Sequence, residues 1–218
     1  MLNDDVSGPW EVAFSQGWGG NYTDIDVVRA VKRFRPRRLV EVGCGKGANF
    51  LVYVNDGMHI TGVDYSKTAI AMAQEKLNSL HYANAKLIVA DLIKAPPTLD
   101  EPVDMVVDVE CLYTLPFEAA VGVADWIYSV LKPGGVFFSK HFMDGCYGQA
   151  DSEKVGPREY HSKQPGFVGI TRYATEADMR ELFRKFEIIE MNQTTRSVDG
   201  WNSGMNISEW LVFGKKAE

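Results

Sequence analysis

Five short apolar runs restrict this chain more than any other feature. They are RLVEVG (38–43), MHITGVD (58–64), AKLIVAD (85–91), VDMVVDVE (103–110) and VFFSKH (136–141). Each has the length and composition of a buried strand. The segments between them repeat at helical spacing. Residues 24–34 place Ile25, Val28, Ala30, Val31 and Phe34 together, with Thr23 or Asp24 as a cap and Pro36 as a stop. The spacing predicts further helices over 46–55, from the cap Ser66 to about 80, and over 117–131. A tight turn follows at 132–135. Strands apolar on both faces, alternating with helices, form a parallel sheet covered on both sides.

The alternation stops after His141. Residues 142–174 are rich in glycine, tyrosine and charge and lack a clear period, so they read as a substrate lid. Thr175 caps a helix to about 185. Residues 186–192 and 208–214 are two final strands, and the 15 residues between them are too few for a typical helical crossover. They are expected to pair antiparallel. The expectation is one domain, 1–218: a three-layer, doubly wound α/β fold with seven strands, mostly parallel, the last antiparallel. Residues 1–23 carry Trp10, Phe14, Trp18 and Tyr22 among Gly17, Gly19 and Gly20. Because glycines weaken a helix, this segment reads as a lid rather than as a helix packed on the sheet.

Composition narrows the partners. The net charge is −6, which disfavours a nucleic-acid backbone. The one basic run, 32–38, leads into the first strand and reads as a solvated helix end. No segment reaches the roughly 18 apolar residues of a membrane helix, and residues 1–10 lack the apolar core of a secretory signal. Cys44, Cys111 and Cys146 form no CxxC pair and no metal-ligand cluster is evident, so neither a disulfide framework nor a metal is expected. These readings point to a cytoplasmic monomer or homodimer.

The sharpest local feature is Glu41-Val42-Gly43-Cys44-Gly45-Lys46-Gly47, between the first strand and the next helix. Glycine permits backbone angles that other residues resist and lets a ligand approach the chain. A helix opening there would add free N–H groups. Gly43, Gly45 and Ala48 satisfy the GxGxxG/A pattern of dinucleotide sites, while Glu41, Gly43, Gly45 and Gly47 give E-x-G-x-G-x-G. Asp64 ends the second strand, where a carboxylate suits ribose hydroxyls, and Asp91 ends the third. All three features fall on the sheet edge where open α/β folds bind ligands.

The E-x-G-x-G-x-G loop, Asp64, Asp91, the 103–116 segment and LKPGGVFF (131–138) together resemble the class I S-adenosylmethionine (SAM)-dependent methyltransferases. The resemblance covers about 37–214. It implies SAM as cofactor, held by Tyr22, Glu41, Gly43, Cys44, Gly45, Gly47, Asp64, Tyr65, Asp91, Leu92 and Glu110. Glu41 would order the loop, Asp64 would take the ribose, and Asp91 the adenine amino group beside the Leu92 N–H. Methyl transfer to an oxygen or nitrogen of a small molecule follows as the expected activity. Glu110, past the fourth strand, and His141, past the fifth, are the catalytic candidates, His141 as a base. His161 is weaker, and His59 and His81 read as structural. Arg158, Lys163 and Arg172, among Asp144, Tyr147 and Tyr160, suggest an anionic acceptor. A nicotinamide-dependent oxidoreductase and a SAM-binding protein without catalysis remain as alternatives.

Overall fold

The central strand is β1 (Arg38–Val42), whose buried pattern leaves only its first residue partly open. It pairs in parallel with β2 (His59–Asp64) on one side and β4 (Val103–Val109) on the other. The strand order therefore reverses beside β1, and a cleft opens at the carboxyl ends of these strands. The full sheet runs β3-β2-β1-β4-β5-β10-β9, with β3 (Ala85–Val89) at one edge and β9 (Glu187–Ser197) at the other. β5 (Leu131–Phe142) continues the parallel set, and β10 (Asn206–Lys215) runs antiparallel to both β5 and β9. The seven strands and the antiparallel closure are as the sequence implies. The structure, a computed structural model, describes residues 8–162, 168–197 and 205–218; Lys163 and residues 1–7 of the expected lids lie outside them.

Helices cover both faces. One core joins Val40, Val42 and Phe137 of the sheet to α5 (Phe117–Val130) and α6 (Glu176–Leu182). The other joins Leu39, Ile60 and Phe138 to α2 (Ile25–Phe34), α3 (Phe50–Asn55) and α4 (Lys67–Ser79). Caps sit where the sequence places them. Asp24 Oδ1 accepts from the Asp26 and Val27 N–H groups, Ser66 Oγ from Ala69, and Thr175 with Asp178 forms a capping box.

Several boundaries differ from expectation. α3 starts at Phe50 rather than 46, because Gly47 is left-handed (φ 73°) and the loop stays open until Asn49. β3 ends at Val89, so Asp91 lies two residues beyond it. The 132–135 turn is a bulge inside β5: Val103 pairs with Leu131 and Met105 with Val136. The stretch after Phe142 is not structureless. Strands β6 (Glu153–Lys154), β7 (Glu159–His161) and β8 (Ile170–Arg172) form a small antiparallel sheet. The N-terminal aromatic segment is partly a helix, α1 (Gly8–Ser15), since Gly17, Gly19 and Gly20 all follow it. The basic run is spent at the far end of the sheet, with Arg33 on Glu190 (2.6 Å) and Arg38 on Glu101 (3.1 Å). Among the described residues no helix is long and apolar enough to cross a membrane, and no His, Cys, Asp or Glu cluster would hold a metal.

Candidate functional site

The glycine loop is built on left-handed backbone: φ is 60° at Gly43, 51° at Gly45 and 73° at Gly47. A Cβ at Gly43 would meet Cys111 Cβ at 2.5 Å, so the loop presses directly on the segment after β4. A Cβ at Gly47 would strike the Phe50 ring at 2.6 Å. Asp64, at the tip of β2, fixes the loop from the side: its Oδ2 accepts from Gly45 N–H (2.9 Å) and its Oδ1 from Ser66 N–H (2.8 Å). Burial pushes its carboxyl up, against those backbone bonds. Lys76 of α4, which carries no motif, donates to Gly47 O at 2.9 Å and holds the loop's far end.

Glu41 is buried within β1. Its Oε1 accepts from Asn49 Nδ2 (2.7 Å), and Asn49 Oδ1 accepts from Asp24 N–H (2.9 Å), which ties the loop to the start of α2. Its Oε2 is buried with no partner. Burial pushes the carboxyl up to about 7, against hydrogen bonding from Asn49 and the pull of Tyr53. Ionisation is thus deferred in the folded protein. Between the ordinary carboxyl range and about pH 7 the native state binds more protons than the unfolded chain, so stability falls as pH rises through that window. Glu41→Gln is expected to remove about 3 kcal/mol of this pH dependence. Urea unfolding of both proteins at pH 5 and pH 8 reads it; parallel curves would contradict the shift.

The segment after β4 makes the opposite wall. Glu110 adopts φ 63°, a conformation that costs a side-chain-bearing residue about 1 kcal/mol. Its carboxylate has no hydrogen bond or ion pair among the described residues. Desolvation and the nearby Glu209 push it up, against Lys140. Asp108 holds the following turn, its Oδ1 accepting from Cys111 N–H (3.2 Å) and Leu112 N–H (3.0 Å). Arg172 of β8 holds it from below, donating from Nε to Leu115 O (2.8 Å) and from Nη2 to Leu112 O (2.7 Å). Burial brings its guanidinium down to about 10.

The base expected at His141 does not reach this site. β5 alternates, so His141 turns toward α5 and α6, its side chain fully buried against Tyr113 and Phe183. Nε2 lies 2.8 Å from Ser139 Oγ and 3.3 Å from Asp108 Oδ2, while Nδ1 is buried without a partner. Burial lowers its proton affinity, against Asp108. Its neighbour Lys140 takes the other face, nearly sealed off between Asp24 Oδ2 (2.9 Å), Glu209 (3.4 Å) and Asp26 (3.5 Å). Burial pulls the ammonium down, but the three carboxylates outweigh it.

α1 closes the cleft. Glu11 accepts from Ser66 Oγ (2.5 Å) and from Thr68 Oγ1, at the start of α4. Phe14 is buried, its Cζ 3.2 Å from where a Gly45 Cβ would stand. Trp10 and Trp18 meet edge to face at 5.0 Å.

These parts line one cavity. Tyr22, Glu41, Gly43, Cys44, Gly45, Asp64, Tyr65, Asp91, Leu92 and Glu110 all border it, with Trp10, Phe14, Trp18, Asp24, Lys46 and Asn49. Gly47 and His141 do not; Gly47 shapes the loop from behind. Asp91 Oδ1 accepts from Ile93 N–H (2.9 Å) and Lys94 N–H (3.2 Å), so it also caps its own turn. Two residues behind the anionic-acceptor expectation, Arg158 and Arg172, turn elsewhere. Arg172 is spent on backbone carbonyls, and Arg158 lies over Phe117 and pairs with Asp178 (2.9 Å) and Glu181 (2.8 Å). The lining instead holds five carboxylates against Lys46.

The architecture and this loop define the class I methyltransferase fold. Residues 39–135 match the methyltransferase domain family. The chain is 26% identical over 149 residues to phosphoethanolamine N-methyltransferase 2 of Caenorhabditis elegans, across 66% of this chain and 33% of that protein. It is 31% identical over 133 residues to thiopurine S-methyltransferase of Legionella pneumophila, across 55% and 58%. The chain therefore spans a third to little over half the length of these relatives. In fold it is similar to 1,6-didemethyltoxoflavin-N1-methyltransferase of Burkholderia thailandensis, solved with S-adenosylhomocysteine (SAH) bound. There the TM-score is 0.65 and the identity 14%, over 99% of this chain and 80% of that one. Residues 39–135 thus form a domain that matches the methyltransferase domain family, set within a fold of the class I methyltransferase type. That assignment displaces the nicotinamide alternative. The residues fit: a glycine-rich loop with left-handed turns and carboxylates at the end of β2 and past β3 suit a ligand bearing ribose, amine and sulfonium.

Proposed function

We propose that this protein is a SAM-dependent methyltransferase acting on an oxygen or nitrogen of a small molecule. One observation carries the reading: the left-handed Gly43–Gly45 turn, clamped by Asp64, opens on the same cavity as Asp91 and Glu110. When bound, SAM supplies a methyl group on a positively charged sulfur. The chain's task is then alignment and exclusion of water. Each Asp64 oxygen spends one lone pair on a backbone N–H and keeps another for a ribose hydroxyl. Asp91 and the Leu92 N–H flank the adenine position. The Glu41–Asn49–Asp24 chain keeps the loop in register with α2. Trp10, Phe14, Trp18 and Tyr22 act as the cover, the lid role expected of residues 1–23. With His141 enclosed in the core, Glu110 is the carboxylate left to take a proton from the acceptor. The described relatives act on small molecules by name, which supports an acceptor of that size.

Isothermal titration with SAM and with SAH tests the cofactor, and a hydrolase-coupled SAH-release assay with candidate acceptors tests turnover. Micromolar binding of both ligands and acceptor-dependent release are expected. No heat with either ligand at millimolar concentration would overturn the reading. Binding with no turnover across a broad acceptor panel would favour a non-catalytic SAM-binding protein.

A further inference from the structure

The charge inventory of the cavity points to the chemistry of its acceptor. Four of its five carboxylates are already engaged. Asp24 pairs with Lys140, Asp64 and Asp91 each accept two backbone N–H groups, and Glu41 accepts from Asn49. Glu110 is the exception, and Lys140 next to it is already outnumbered by Asp24, Asp26 and Glu209. An anionic acceptor would add to this negative charge, whereas a cationic amine would be drawn to it. Aromatic side chains share the lining: Trp10, Trp18 and Tyr22 border the same cavity, and Tyr22 is 81% exposed. A carboxylate and electron-rich rings on one cavity are the combination that holds an organic cation.

We propose that the acceptor is a compact amine, cationic when free at neutral pH, with its nitrogen at Glu110 and its body against Trp10, Trp18 and Tyr22. This rests on the methyltransferase reading above. The ammonium N–H proton passes to the Glu110 carboxylate, leaving the nitrogen lone pair free. That pair forms the new N–C bond to the transferred methyl, and the C–S bond breaks with its electrons staying on sulfur, giving the N-methylated ammonium and neutral SAH. Glu110 then returns its proton to solvent.

The sulfonium is also a cation, so the test uses protein saturated with SAH, whose sulfur is neutral. SAH affinity is measured first; failure there removes the methyltransferase reading itself. The SAH-loaded protein is then titrated with benzylamine, benzyl alcohol and benzoate, which share a ring and differ in charge. Benzylamine is expected to bind at least about tenfold more tightly than the alcohol, with benzoate weakest. Glu110→Gln is expected to bring the amine-to-alcohol ratio close to one while SAH affinity stays within a few-fold. Trp18→Leu is expected to weaken benzylamine several-fold, independently of the Glu110 variant. SAH binding together with equal or better binding of the alcohol or benzoate would overturn the inference alone. So would a preference surviving in Glu110→Gln, or no probe binding at all.

Discussion

Asp64→Ala is expected to raise the SAM dissociation constant at least about a hundredfold. The carboxylate is buried at the end of β2 and accepts from two backbone N–H groups, Gly45 at 2.9 Å and Ser66 at 2.8 Å. Hydrogen bonds to a charged group contribute about 1.5–3 kcal/mol each. Losing the Gly45 bond releases the left-handed turn that forms one cavity wall, and losing the carboxylate removes the acceptors proposed for the ribose. Two such losses exceed the roughly 2.7 kcal/mol that a hundredfold change represents. Asp64→Asn keeps one acceptor oxygen and is expected to fall between wild type and alanine. Titration calorimetry with SAM and SAH measures the effect, and thermal unfolding controls for stability. Affinity within threefold of wild type in a folded Asp64→Ala protein would sink the clamp and the ribose role together.

The parts legible in the sequence are those whose physics is local. Strand periodicity, the caps at Asp24, Ser66 and Thr175, and the glycine loop each follow from residues a few positions apart, and all stand where expected. The misreadings share one cause: contacts made across the chain. Lys46, Ala48 and Asn49 have nothing against a helix by themselves. Asn49 instead spends its amide on Glu41 and Asp24, and Gly47 takes a left-handed turn, so the helix starts at Phe50. The four-residue bulge in β5 hides its register, and the facing of Lys140 and His141 follows from that register. One residue of parity separates a cation buried against Asp24 from a histidine buried against Asp108. The Lys140 cluster itself draws on residues 24, 26 and 209, a grouping no local pattern announces. Likewise α1 is secured by Glu11 on Ser66 and Thr68, 55 and 57 residues away. Arg172, which reads as a lid cation, finds the carbonyls of Leu112 and Leu115 and becomes a brace for the cavity wall. A useful signal was available for Asp108, an acidic residue inside an otherwise apolar strand, which demands a buried partner.

That residue carries the other large effect. Asp108 is buried and accepts on both oxygens: Cys111 and Leu112 N–H on Oδ1, Ser139 Oγ on Oδ2, with His141 Nε2 at 3.3 Å. Asp108→Ala strips these donors of their acceptor at once, in a place where water has little access. Each unsatisfied buried donor costs about 1–3 kcal/mol, so a loss of about 3–5 kcal/mol in unfolding free energy is expected. The turn it holds supplies Cys111, Thr114 and Leu115 to the cavity, and Gly43 has no room for that turn to shift inward. SAM affinity should therefore fall in the folded fraction too. His141→Gln removes a neighbour but leaves both backbone bonds to Oδ1 in place, so it is expected to cost less stability and to leave SAM affinity near wild type. Urea unfolding and SAM titration of the two variants separate the roles. Equal losses in both would mean that His141, and not Asp108, organises the turn.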